Sequence, residues 1–462
     1  MPRPDKFKTD RMIGGAAALA SLVKKDAGPK LLLDAGDWWQ GTPEGSLTKG
    51  EAVAEVFNAI GYDAIVVGNH EYDAGADALR SLISKMKAPV LSANTYGDDG
   101  RLVPWVRPSI VKEVGGVKFG IFGLTTTNMR RLAFPKNIAG LAFRREVDVA
   151  REQVKALKKK GATVIVAVTH VGLEQENQKF EGDQTLAREV PEIDVIVGGH
   201  SHTFLSKPIR IGSTLIVQAG SYLVKAGRTT LEIDPKTKKV TAASDELVDL
   251  WPDEVGEDEA VKAVVRRNQE AVGKVFETVV ATAPAPMGRE AGQESALGDW
   301  MSDCYRESFG VDLAIQNGGG IRAELPAGPV TLRSIFNIMP FDNSIVKLTL
   351  KGADARATLD HGVGLERIMQ VSGAEVVYKR PAPSGERLVS AKVGGAPLDD
   401  AKTYSLATID FLTNGGDGYS MFDRFVSSEA TGVLAREALT ACARKRGVVE
   451  APPLGRLKKK ED

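Results

Sequence analysis

Histidine is scarce in this 462-residue chain, with five in all, and cysteine scarcer, with two. Two cysteines, Cys304 and Cys442, are too few for a disulfide framework. One bond between them and two reduced core thiols are both compatible with the sequence. No apolar run approaches the roughly 18–20 residues that a membrane-spanning helix needs. The first residues, Met-Pro-Arg-Pro-Asp-Lys-Phe-Lys, lack the apolar stretch of a secretory signal. Neither sign of charge is in excess, since 60 basic residues meet 60 acidic ones. No global field therefore recruits a nucleic-acid polymer or a membrane surface. Internal repeats and low-complexity segments are also missing. What is present, 43% hydrophobic and 26% charged residues, is ordinary for globular domains, and the length suits two or three of them.

The first half alternates helix-like and strand-like segments. Helices are expected at 13–25, 52–60, 75–85 and 147–160, the last ending in lysines suited to a helix C-terminus. Strands are expected at 31–34, 64–67, 89–92, 117–123 and 163–168. They carry nearly continuous apolar runs, as sheets covered on both faces do. This predicts an α/β arrangement with helices on both sides of the sheet. Shorter strands follow at 215–218 and 227–234. Residues 235–257 are rich in charge, and 257–276 has the period of an exposed, polar helix. A domain boundary is expected there, giving a first domain over 1–255, a linker helix over 256–276 and a second domain over 277–455. The second domain reads as mixed α/β, with a helix at 297–309, strands at 313–316 and 345–350, and a helix at 353–362. The lysine-rich end, 456–462, reads as a frayed, charged tail.

Four of the five histidines fall in three short motifs, each ending an apolar run: Gly-Asn-His70-Glu, Val-Thr-His170 and Gly-Gly-His200-Ser-His202. A fourth run, Lys30-Leu-Leu-Leu-Asp-Ala, ends in Gly36-Asp37. Ligands of open α/β sheets bind at the carboxyl ends of strands. Imidazole, carboxylate and the Asn69 amide oxygen suit Zn²⁺, Mn²⁺ or Co²⁺. Gly36, Gly68, Gly198 and Gly199 supply tight turns beside them. The residues point to a metal-centred hydrolase.

These motifs resemble those of the calcineurin-like metallophosphoesterases, and within them the 5'-nucleotidase and UDP-sugar hydrolase family. The resemblance continues through Asn317-Gly-Gly-Gly-Ile-Arg322, Pro-Phe341-Asp-Asn343 and Phe411-Leu-Thr-Asn-Gly-Gly-Asp417-Gly-Tyr419. It implies a metallophosphoesterase sheet sandwich followed by a smaller mixed α/β substrate-binding domain. It also implies two divalent ions (Zn, Mn or Co): Asp37 bridges them, Asn69, His170 and His200 complete one, and His202 serves the other. His70 with Asp73 matches the family's catalytic dyad, and an imidazolium held by a carboxylate suits charge developing on phosphoryl or leaving-group oxygens. Asp73 also stands where a helix N-cap would.

One departure is plain. Family members open with a strand ending in Asp-x-His, and 1–11 holds no such motif, Asp10 being followed by Arg11. The expectation is a truncated chain with a weakened second metal position. The family's periplasmic or secreted location is expected too, with any signal lost alongside the strand.

In the second domain the resemblance makes Phe341 and Phe411 a sandwich for the nucleobase, with Asp417 on the ribose. It turns Arg322 toward the phosphate end and assigns Asn317 and Asn343 as amide contacts. Arg289 is a looser match, its spacing differing by about two residues. The leading expectation is a 5'-nucleotidase, with UDP-sugars or cyclic nucleotides as further substrates. One alternative is a nucleotide-binding protein with little turnover. Another is a thiosulfohydrolase-like enzyme, against which Phe341, Phe411 and Asp417 argue. Oligomeric state is left open.

Overall fold

The computed structural model describes residues 2–4, 11–174, 180–290 and 292–460. Asp10 therefore lies outside the described residues. The chain divides into two compact units, one of residues 1–40 and 47–271, the other of 41–46 and 272–462.

Two sheets form the centre of the first unit. The smaller has three parallel strands, Leu33–Asp34, Ala64–Val66 and Val90–Leu91. The larger runs in the order Ile209–Ile211, Thr214–Val217, Val195–Gly198, Val164–His170, Val117–Thr125 and Ser109–Val114. Its four inner strands are parallel and its two outer ones antiparallel. Side chains alternate across each strand. Val164, Val166 and Val168 meet Ala64, Val66 and Leu91 in the core between the sheets. Ile165 and Ala167 point the other way, toward helices Glu146–Lys159 and Asp183–Glu189. Ile65 likewise turns from its neighbours to pack on Ala18, Leu19 and Phe57 of helices Ala16–Lys25 and Glu51–Ile60. Burial on both faces explains the unbroken apolar runs, and the expected sandwich with helices outside both sheets is present.

The charged stretch after residue 235 holds a strand that was not expected, because Val240–Asp249 forms a long antiparallel hairpin with Lys225–Ile233. Three expectations need correction. Helix Glu259–Val272 is not a linker: fully buried Val261 packs on Ala16, Ala17 and Ala20 of the first unit. The second unit is not contiguous, since Gly41–Ser46 belongs to it, with buried Glu44 accepting from Arg333 Nη1 at 2.6 Å. The end of the chain is not frayed. Leu457–Lys459 pairs in parallel with Ala374–Tyr378, and Glu294 accepts from the backbone N–H groups of Gly455, Arg456 and Leu457.

The second unit holds a five-stranded sheet in the order Gln370–Ser372, Leu313–Gln316, Thr403–Ile409, Ser344–Lys351 and Ser427–Leu434. A four-stranded sheet runs Ala396–Pro397, Leu388–Val393, Ala374–Tyr378 and Leu457–Lys459. Helix Ala296–Phe309 starts at Ser295, whose hydroxyl accepts from Gly298 N, and stops at Gly310 in the left-handed conformation. Cys304 on this helix is bonded to Cys442 on helix Ala435–Arg446, which decides the alternative the sequence left open.

Candidate functional site

In the first unit the loops after four parallel strands carry the rare residues. Asp37 follows Leu33–Asp34, Asn69 and His70 follow Ala64–Val66, His170 ends its own strand, and His200 follows Val195–Gly198. Ligand atoms of Asp37, His170 and His200 lie within 4.8 Å of one another. His170 is 1% exposed. Its Nδ1 lies 2.6 Å from the carbonyl oxygen of Ala35 and, since a carbonyl only accepts, Nδ1 carries the proton. That leaves Nε2, 3.0 Å from Asp37 Oδ2, as the nitrogen that could face a metal ion, an orientation typical of metal-ligating histidine. The Asn69 side chain is also buried, and its amide oxygen has no hydrogen-bond partner among the described residues. Buried polar atoms are rarely left so. This donor set fits a divalent transition-metal ion.

Burial opposes the charge on Asp37, but the imidazoles of His170, His70 and His200 outweigh it and hold the carboxyl well below its usual range. Burial also opposes an imidazolium at His170, yet the Asp37 charge lifts that group to about 9. An anion this deep selects for a positive neighbour, which a metal ion supplies as well as a proton does.

The close packing depends on glycine. A Cβ on Gly68 would sit 2.3 Å from Asp37 Oδ1, and one on Gly36, at φ 94°, would sit 2.8 Å from Gly68 N and His170 Nδ1. His70 stands beside this cluster in another role. Its backbone N–H donates to Asp37 Oδ1 at 2.9 Å, and its Nδ1 lies 2.8 Å from Asp73 Oδ2. Asp73 is not the expected helix N-cap, a position that Gly75 fills without a side-chain bond. Its carboxylate instead takes Gln40 Nε2 at 2.8 Å as a further donor. His202 stands outside the converging set, its ring 5.8 Å from that of Tyr222.

Two supports escape sequence reasoning. Glu71, 1% exposed, accepts from the backbone N–H groups of Asp37, Trp38 and Gly68, so one carboxyl clips both metal-side loops. Burial and the nearby Asp37 charge push it up to about 8. Asp183, fully buried, accepts from Thr169 Oγ1 at 2.7 Å beneath His170. Glu71 does sit inside the Gly-Asn-His-Glu motif, which is the one signal that could have found it.

In the second unit, Asn317 Nδ2 donates to Asp417 Oδ2 at 2.6 Å. The Arg322 guanidinium stands 5.7 Å from the centre of the Phe341 ring, and its Nη1 donates to Gly319 O. Arg289 Nη1 donates to Ile321 O at 3.1 Å, which brings this looser match to the same loop. Phe341 and Phe411 are both half-buried at the edge of the core, and Asn343 is buried. The fifth histidine, His361, reaches this cluster too, its Nε2 2.8 Å from Asp417 O.

Comparison with known proteins agrees with both halves. Residues 12–204 match the calcineurin-like phosphoesterase family, and 278–424 match the 5'-nucleotidase C-terminal domain. Snake venom 5'-nucleotidase of Gloydius brevicauda is 31% identical over 91% of this chain and 79% of its own length. The 5'-nucleotidase of Rattus norvegicus is 31% identical over 88% and 79%. A 5'-nucleotidase precursor from Thermus thermophilus superposes with a TM-score of 0.91 at 29% identity, covering 100% of this chain and 96% of that one. Sulfate thiohydrolase SoxB of Thermus thermophilus, at 22% identity and a TM-score of 0.85 over 97% of this chain and 83% of that one, shares the fold. With motifs, fold and relatives in agreement, the chain belongs to the 5'-nucleotidase family.

Proposed function

We propose that this chain hydrolyses the phosphate ester of nucleoside 5'-monophosphates with the help of divalent metal ions. One observation supports it above the others: Asp37, His170 and His200 converge in a buried site where His170, held through Nδ1 by the Ala35 carbonyl, turns Nε2 inward toward Asp37. Asp37, Asn69, His170 and His200 would hold one Zn²⁺, Mn²⁺ or Co²⁺ ion, and Asp37 with His202 a second, more weakly. Ions bound there supply Lewis-acid charge for phosphoryl oxygens and lower the pKa of water. Asp73 orients His70 through Nδ1, so Nε2 is the ring atom that would meet a phosphoryl or leaving-group oxygen. In the other unit Phe341 and Phe411 would hold the base, Asp417 the ribose, and Arg322 the phosphate end, with Arg289, Asn317 and Asn343 around them. The disulfide supports the family's exported setting, since such bonds persist in oxidising compartments.

The test is phosphate release from AMP, together with elemental analysis of the purified protein. Close to one tightly held transition-metal ion per chain is expected, with AMP turnover lost on chelation and regained on adding Zn²⁺, Mn²⁺ or Co²⁺. Protein that takes up no metal from replete buffer overturns the reading. Binding of AMP without phosphate release would leave a nucleotide-binding protein in its place.

A further inference from the structure

Asp417 has a backbone conformation that non-glycine residues rarely adopt, φ 51° and ψ 15°. Left to itself a residue there loses about 1–2 kcal/mol against right-handed alternatives. Something must hold it. The side chain is fixed by Asn317, whose Nδ2 donates to Oδ2. The backbone is gripped from a different element: His361, on helix Gly352–Gly364, places Nε2 2.8 Å from the Asp417 carbonyl oxygen. A carbonyl can only accept, so Nε2 is the donor. The His361 ring is held in turn, edge-on to fully buried Tyr419 with centroids 4.7 Å apart. Tyr419 stacks on Phe422 at 5.3 Å, so the histidine is braced by the core itself.

We propose that His361 is a positioning residue for nucleotide recognition, locking the Asp417 backbone so that its carboxylate stands ready for the ribose hydroxyls. The proposal rests on the reading of Asp417 as the ribose contact. His361 touches no substrate in this scheme. It acts through the carbonyl of Asp417, while Asn317 acts through the carboxylate. Two clamps on one residue leave its oxygens little freedom, so less entropy is lost when a diol binds.

The test is binding of adenosine and of 2',3'-dideoxyadenosine, which carry no phosphate to hydrolyse, to the full chain, by calorimetry. The quantity read is the ratio of their dissociation constants, which isolates the contribution of the ribose hydroxyls. His361→Phe keeps a ring against Tyr419 and removes the donor. It is expected to shrink the ratio by about three- to tenfold, the worth of one hydrogen bond. His361→Gln retains an N–H at similar reach and is expected to preserve the ratio. Asp417→Ala separates the two ideas. If it leaves the ratio intact, the ribose reading is wrong and the inference goes with it. If it abolishes the ratio while His361→Phe leaves it whole, the ribose reading stands and the role of His361 is overturned. Equal losses in the Phe and Gln variants would also overturn it, because packing and not the donor would then matter.

Discussion

Asp37, His200, His202 and Asp417 share a positive φ, at 61°, 67°, 56° and 51°. Each such residue costs about 1–3 kcal/mol and persists only where its surroundings over-determine it. Four of them among the residues that chemistry singled out is the pattern of a site built at the expense of backbone comfort. His70 has an ordinary backbone and a different task. If it acts on the substrate and not on the metal, His70→Ala should lower kcat for AMP by about 10²–10⁴-fold and leave metal content unchanged. Metal lost together with activity, in elemental analysis of the variant, would reassign His70 as a ligand. At this scale the rare side chains were legible because histidine at the end of an apolar run stands out. Glu71 and Asp183 were not. Acids are common, and what makes Glu71 matter is a fold that returns the Asp37 loop to it from 34 positions away.

At the scale of elements, legibility followed burial. The strand Leu313–Gln316 lies as the sequence predicts, because an apolar run buried on both sides has one reading. The Val240–Asp249 strand was not legible because its residues are mostly charged or small and half-exposed, and its partner across the hairpin makes it a strand. Leu457–Lys459 is three residues long with two lysines facing solvent, so its anchor is polar: Arg456 forms paired bonds of 2.8 Å with Asp303. Asp299 lies fully buried beside this anchor, its Oδ2 3.6 Å from Arg456 Nε. Burial first, then a proton shared with Glu294, push it up to about 9. The folded chain thus keeps a proton that the unfolded chain releases near the ordinary value of 3.8. Stability from this group therefore falls as pH rises from that value through about 9. Asp299→Asn cannot ionise, and its gain in Tm over the parent should be larger at pH 8 than at pH 5. A gain that does not change with pH would show that Asp299 is already ionised in the fold.

The disulfide joins the helices near the two ends of the second unit across 138 residues. Closing so long a loop restricts the unfolded chain, so replacing both cysteines by alanine should cost about 2–5 kcal/mol in denaturant unfolding. An unchanged midpoint would mean that the surrounding core holds the helices without it.

For the molecule as a whole, the division of labour proposed above makes a claim about substrates. On that proposal the first unit would carry the chemistry and the second the recognition of the base. Base stacking is worth about 1–3 kcal/mol, so Phe411→Ala should lower kcat/KM for AMP by that amount. Hydrolysis of p-nitrophenyl phosphate, which offers no base, should change little. Equal losses on the two substrates would mean that Phe411 supports the fold. Binding energy gathered far from the reacting bond can still raise its rate, by fixing where the phosphate lies.

The Cys304–Cys442 bond has one more consequence, for a protease. The mostly exposed stretch 381–386 lies between the two cysteines in sequence and offers a natural place for a cut. A chain nicked there would run as one species on a gel without reductant and as two with it. Cleavage alone would release neither fragment, and the loops at Asn317 and Asp417, one on each side of the cut, would stay covalently linked.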